Sequence, residues 1–443
     1  MPPALRQGER RPGDRSLPRV AVLGAFDRFN YGDLLFPVVL EHALRAYGCR
    51  WPLAFHATAG SDLRRCGGYR TRPLRDLVQP GALPDGSAVI VAGGEVLDAR
   101  WTPTLETLLP GPVAFVVRRV RNRCGEEASD ALCRWLAGTR LEFPWVLRPA
   151  DFSARVRVAY NCVGGSRVGT LPAPLRDRLF EKLAGADFLS VRDGRTRDEL
   201  RAGGLDERVR LAPDSAVLIA LFYPPAALQE VASPAAREVA RRYPDGYLCF
   251  QINKGQGQGR ARVIAAELET VSRRHGLGIL LLPNGRARNH EDHVALAEVG
   301  AALGPSAVLF GGEPTIHDIM FLIASARAYA GTSLHGAITA LAYGVPHVGL
   351  TLNVSKLDAF LRTWDVPEQQ TCVPLEALSA RVETVLRVPR ERLGQKRDEL
   401  VRASLANFAA LFTATGIEGS FGAILPPLAC AGANGRPEGR VLS

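Results

Sequence analysis

Nothing in this sequence is arranged to be held together by sulfur. The eight cysteines (49, 66, 124, 133, 162, 249, 372 and 430) are scattered, and no two stand at Cys-x-x-Cys spacing, which speaks against a zinc ribbon or a disulfide framework. No run of ~20 uninterrupted apolar residues occurs, so a membrane-spanning helix is not expected. Residues 1–18 are rich in arginine and proline and lack the apolar segment of a signal peptide, so a cytoplasmic protein is expected. Lysine is scarce too: of 55 basic residues only Lys182, Lys254, Lys356 and Lys396 are lysine. The arginines are spread along the chain rather than gathered into a block, which excludes a nucleic-acid-binding basic helix and leaves no specific nucleic-acid partner to expect. A net charge of +10 then suits anionic small molecules or peripheral contact with a membrane surface.

What is present is a folded chain. With 443 residues, 47% hydrophobic and 23% charged, disorder is excluded as the main state, and the length suggests two or three domains. Apolar or β-branched runs at 19–23, 88–92, 113–117 and 188–191, then at 247–251, 279–282, 307–310, 328–330 and 347–350, read as strands. Helical periodicity marks 34–47, 260–275, 292–303, 315–325, 334–343 and 391–412. This alternation predicts α/β domains with parallel sheets. The break at Tyr223-Pro224-Pro225 divides the chain into a domain at 18–222, a linker at 223–245 and a second domain at 246–390. A C-terminal helical region at 391–429 is placed to pack back on the first domain. Residues 1–17 and 430–443 have the composition of disordered tails.

In open α/β sheets ligands bind beyond the carboxyl ends of the strands, where loops and helix amino termini present free N–H groups. The residues following each strand are therefore the candidates. After 19–23 comes Asn30-Tyr31-Gly32-Asp33, where Asp33 reads equally as a helix cap. After 88–92 comes Gly93-Gly94-Glu95-Val96, and after 188–191 Arg192-Asp193. In the second half, Lys254 follows 247–251, Glu313 follows 307–310, and Gly331-Thr332-Ser333-Leu334-His335-Gly336 leads into an alanine-rich helix. His335 stands in that helix's first turn, where amide N–H groups and the helix dipole favour an anion, so it is placed to contact a phosphate or move a proton. His290 and His293 flank Glu291-Asp292 but have no third ligand at usable spacing, so no metal is expected. His317 and His347 read as structural.

Taken together and in order, Asn30-Tyr31-Gly32-Asp33, Gly93-Gly94, Ser190-Val191-Arg192-Asp193 with Pro213-Asp214, and Gly331 to Gly336 with Gly344-Val345-Pro346 resemble the polysaccharide pyruvyl transferase family. The resemblance implies two Rossmann-like domains in a GT-B-like arrangement. It also implies transfer of a pyruvyl group from phosphoenolpyruvate to hydroxyls of a sugar or glycan, usually as a cyclic ketal, with no cofactor beyond that donor substrate. His335 matches the family's active-site histidine. Donor contacts are expected from Thr332, Ser333, Gly336, Lys254, Arg192, Lys356 and Glu313, and acceptor contacts from Asn30, Asp33, Gly93 and Gly94. Many members carry arginine two residues before the histidine, where this chain has Ser333. That departure requires another cation, a different donor, or loss of catalysis. The alternatives are a GT-B nucleotide-sugar glycosyltransferase and a non-catalytic binding protein of the same fold.

Overall fold

Val20–Leu23 (β1) is a run of four apolar residues, every one fully buried, as expected for a strand covered on both faces. Around it the computed structural model, which describes residues 17–285, 291–351 and 356–422, assembles the first sheet. Its other strands are Leu53–Ala57 (β2), Ser61–Asp62 (β3), Arg70–Pro73 (β4), Ala88–Val91 (β5), Gly94–Glu95 (β6), Arg157–Gly164 (β7), Phe188–Val191 (β8) and Val209–Leu211 (β9). The order is β3-β4-β2-β1-β5-β7-β8-β9, with β6 beside β7. All pairs are parallel except β3 with β4. Leu23 is in register with Val91, so the loops after β1 and β5 emerge side by side.

A second sheet contains Tyr247–Gln251 (β10), Gly278–Leu281 (β11), Ala307–Leu309 (β12), Ala328–Gly331 (β13) and His347–Gly349 (β14), in the order β12-β11-β10-β13-β14 and parallel throughout. The strand order reverses between β10 and β13. Gln251 and Gly331 are register partners there, so the loops carrying Asn253 and Thr332 flank the crevice that such a switch point opens.

The segment at 223–245 is folded: the helices Pro225–Val231 and Pro234–Arg242 pack on the helix Ile316–Ala324, with Ser233 N donating to Asp318 Oδ1 at 2.7 Å. Residues 113–117, expected as a strand, lie inside the helix Gly111–Leu136. Strands β2 and β7 were not marked by the apolar pattern, because His56, Asn161 and Cys162 interrupt it. The helix Arg390–Ala414 lies against β7 and β8, and Asn407 Nδ2 donates to Asn161 Oδ1 at 2.9 Å. Both expected tails, except Leu17, lie outside the described residues, as do His290 and positions 423–429.

Candidate active site

Between the carboxyl ends of the two sheets lies a cavity of about 390 Å³. Asn30, Asp33, Gly94, Arg192, Thr332, Ser333, His335 and Lys356 all line it. The expected site residues thus converge from both halves of the chain, with four exceptions. Lys254 is engaged by Glu291 at 3.0 Å, Glu313 stands in solvent 3.8 Å from Arg65, and Gly93 and Gly336 serve packing.

The turn after β1 forms the seam between the domains. Asn30 pairs with Gly285 as an isolated bridge, Tyr31 N donates to Asn284 O at 3.1 Å, and Tyr31 Oη lies 2.7 Å from Thr339 Oγ1. Gly32 is dictated by His335: a Cβ there would stand 1.9 Å from Nδ1. Phe36, one turn along, sets its ring edge-on to His335 with centroids 5.1 Å apart. Gly93 in turn leaves room for Phe36, since a Cβ on Gly93 would lie 2.5 Å from the ring. Gly93, Phe36 and His335 therefore stack in sequence, and Gly93 acts on the site through Phe36.

His335 is nearly buried, and its Nε2 faces Asp214 Oδ2 at 3.6 Å, an ion-pair separation rather than a hydrogen bond. Nε2 is thus closed off against that carboxylate, and Nδ1 lies against Gly32 across the seam. Asp214 Oδ1 accepts from Ala216 N at 3.0 Å, and Arg192 Nη1 approaches Oδ2 at 3.3 Å. Burial raises the Asp214 pKa, but His335, Arg192 and the Ala216 N–H outweigh it, and the carboxyl is held below its ordinary value. Arg192 also grips Glu95. Burial likewise opposes the Glu95 charge, and Arg192 and Lys356 overcome it, lowering its pKa.

Arg192 therefore reaches the cavity with its charge already matched by two carboxylates. The other cavity arginines are matched as well: Arg28 by Asp27 at 3.3 Å, Arg100 by Asp130 at 2.8 Å and Arg167 by Asp98 at 3.3 Å. Among the described residues, Lys356 is the cation lining the cavity that has no carboxylate within 4 Å.

The second-domain floor is a polar network on the switch point. Gln251 Oε1 accepts from Thr332 N at 3.0 Å, and Gln251 Nε2 donates to Asp292 Oδ2 at 2.8 Å. Asn253 N donates to Thr332 Oγ1 at 3.0 Å. Ser333 caps the helix Leu334–Ala342 by accepting from Gly336 N at 3.2 Å, which occupies the side chain expected to meet the donor. Gly336 is needed for space, since a Cβ would fall 2.0 Å from Tyr329 Oη. Asp292 Oδ2 also accepts from Asn284 N and Gly285 N, and burial nonetheless pushes its carboxyl up to about 7. Asn284 lines the cavity, 4% exposed, with neither side-chain polar atom hydrogen-bonded among the described residues.

Asp214, Glu95, Gln251, Asn284 and Asp292 were not among the residues assigned from sequence. Their signal was present in Pro213-Asp214 and Pro283-Asn284-Gly285, but its meaning depends on contacts across the domain seam. Among the described residues no group of three or more His, Cys, Asp or Glu is arranged to hold a metal ion. No helix there is long and apolar enough to cross a membrane.

Solved structures share this architecture. UDP-GlcNAc 2-epimerase from Methanocaldococcus jannaschii, in complex with UDP-GlcNAc and UDP, is 12% identical, with a TM-score of 0.51, covering 87% of this chain and 99% of that one. The S. aureus MnaA–UDP structure gives 10%, 0.53, 90% and 98%. Trehalose-6-phosphate synthase OtsA gives 12%, 0.50, 90% and 99%. At such identities the likeness speaks for the fold, two α/β domains of GT-B-like type. No curated protein matches the sequence. The sequence model of the family described as polysaccharide pyruvyl transferase matches residues 164–353, a span that runs from the end of β7 through Arg192, Asp214 and His335. Over that span, on a GT-B-like fold, the chain is similar in sequence to the polysaccharide pyruvyl transferase family.

Proposed function

We propose that this protein transfers the pyruvyl group of phosphoenolpyruvate to hydroxyls of a sugar or glycan. The observation that carries the reading is His335, set at a helix amino terminus inside the interdomain cavity, backed by the buried Asp214 and touched by Gly32 of the opposite domain. Protonated His335 delivers its proton to the methylene carbon of the donor, making it a methyl group, as positive charge develops on the neighbouring carbon. Asp214 stabilises the imidazolium before transfer. An acceptor hydroxyl oxygen bonds to that carbon, and the neutral imidazole takes the hydroxyl proton. Phosphate leaves with the C–O bonding pair, and a second hydroxyl closes the ketal, its proton going to phosphate or solvent.

The donor's anionic groups are met by the amino terminus of the helix Leu334–Ala342 and by Lys356. The acceptor faces Asn30, Asp33 and Gly94 on the first-domain wall. Incubation with phosphoenolpyruvate and a panel of lipid-linked and nucleotide sugars, reading phosphate release and product mass, tests the reading. Release that falls by about 10²–10⁴ in His335→Ala is expected. Absence of release with every acceptor, together with thermal stabilisation by a nucleotide sugar but not by phosphoenolpyruvate, would replace it with the glycosyltransferase alternative.

A further inference from the structure

The chemistry of the cavity leaves one part of the surface unexplained. The helix Gly111–Leu136 buries Ala114 and Val117 completely, as an amphipathic helix should, but its outer side carries Phe115 and Val116, exposed by 54% and 53%. Positions 115, 116, 119 and 123 share one face at 3.6 residues per turn, and 119 and 123 are exposed arginines. No acidic residue occurs between Gly111 and Gly125, where φ 86° and ψ 176° break the helix. The acidic Glu126, Glu127 and Asp130 lie beyond that break. Arg118 and Arg121 are taken up by Glu106 at 2.9 and 3.4 Å. Arg119 and Arg123 have no carboxylate within 4 Å among the described residues, and the Arg119 guanidinium lies 5.8 Å from the Phe115 ring centroid.

We infer that this outer face docks on an anionic lipid bilayer. Two large apolar side chains next to two unmatched guanidinium groups match what the headgroup boundary offers: apolar depth for Phe115 and Val116, phosphates for Arg119 and Arg123. A second copy of the chain is the poorer occupant, because so small a patch falls well short of the roughly 1,000 Å² that a stable protein interface needs. The position has a use. Glu106, which holds Arg118 and Arg121, ends the helix Trp101–Glu106, and Pro103, Thr104 and Thr107 of that region line the cavity. Docking there sets the first-domain wall of the cavity next to the membrane, so an acceptor carried on a lipid meets it without leaving the bilayer. The inference stands whether or not phosphoenolpyruvate is the donor.

The test is co-sedimentation of the full chain with vesicles of phosphatidylcholine alone or mixed with phosphatidylglycerol, at low and high salt. Binding to the anionic vesicles that weakens with salt is expected. Arg119→Gln and Arg123→Gln should each lower partitioning about fivefold, and Phe115→Ser/Val116→Ser should lower it at least as much, with melting temperature unchanged. Failure of the wild-type chain to bind anionic vesicles overturns the inference, as does equal binding by these variants. Sedimentation velocity supplies a third way to lose it: a dimer that the same apolar substitutions disperse would make the face a contact between copies of the chain.

Discussion

Gly32→Ala examines the seam directly. A methyl group on Gly32 would stand 1.9 Å from His335 Nδ1, 2.3 Å from Cγ and 2.6 Å from Cε1. Non-bonded carbon contacts relax near 3.5 Å, so the ring must retreat by roughly 1.6 Å. It has little room, being edged by Phe36 and faced by Asp214. Overpacking of this kind costs about 1–3 kcal/mol. Opposing it, alanine is up to ~1 kcal/mol better than glycine in a helix, and Gly32 lies in the helix Tyr31–Tyr47. The single variant should therefore lose about 1–2 kcal/mol net and roughly 10²-fold in turnover through the displaced ring. In a His335→Ala background the clash is gone and the same substitution should be neutral or stabilising. Urea midpoints of the four proteins measure the coupling, expected at about 1–3 kcal/mol. Equal shifts in both backgrounds would refute the close approach on which the site is built.

Asp214→Asn should lower stability near neutral pH by about 3 kcal/mol, since Arg192 and His335 lose their shared buried partner. Because the Asp214 pKa is depressed, its contribution is present above the ordinary carboxylate range and lost as pH falls through the folded value. The variant should therefore show a flatter acid limb in urea midpoints against pH. Asp292 has the opposite sign: with its carboxyl raised to about 7, its stabilising contribution is full at low pH and is lost as pH rises through about 7. Asp292→Asn should gain on wild type by on the order of 2–4 kcal/mol above that pH, and a gain equally large near pH 4 would contradict the assignment. Ser333→Arg should melt lower by about 1 kcal/mol from the lost helix cap yet bind phosphoenolpyruvate more tightly by calorimetry. Weaker binding would mean that the cavity is shaped around serine.

The second sheet was legible almost strand by strand, because short apolar runs between glycine-rich loops are what a doubly covered parallel strand requires. The placement of His335 at a helix amino terminus was legible for a local reason as well, since a strand, a Thr-Ser turn and a helix follow within a few residues. The misreading at 113–117 has a physical cause. Ala114, Phe115, Val116 and Val117 are apolar on both faces of the helix, and that erases the 3.6 period. The partner of His335 was hidden for another reason: Asp214 reads locally as a cap for the turn at Ser215–Leu218, a role it also fills. The charge expected of Arg192 is likewise matched by Glu95 and Asp214 from distant parts of the chain. Local pattern names residue types and cannot tell which of them neutralise each other.

The turn Ser215–Leu218 packs at once against the helices Tyr31–Tyr47, Leu334–Ala342 and Arg390–Ala414, and Asp214 caps it. It is a hub shared by one domain's helix, the other's and the C-terminal helix. Because Asp214 both caps this turn and faces His335, the position of that carboxylate is set by all three helices together rather than by either domain alone.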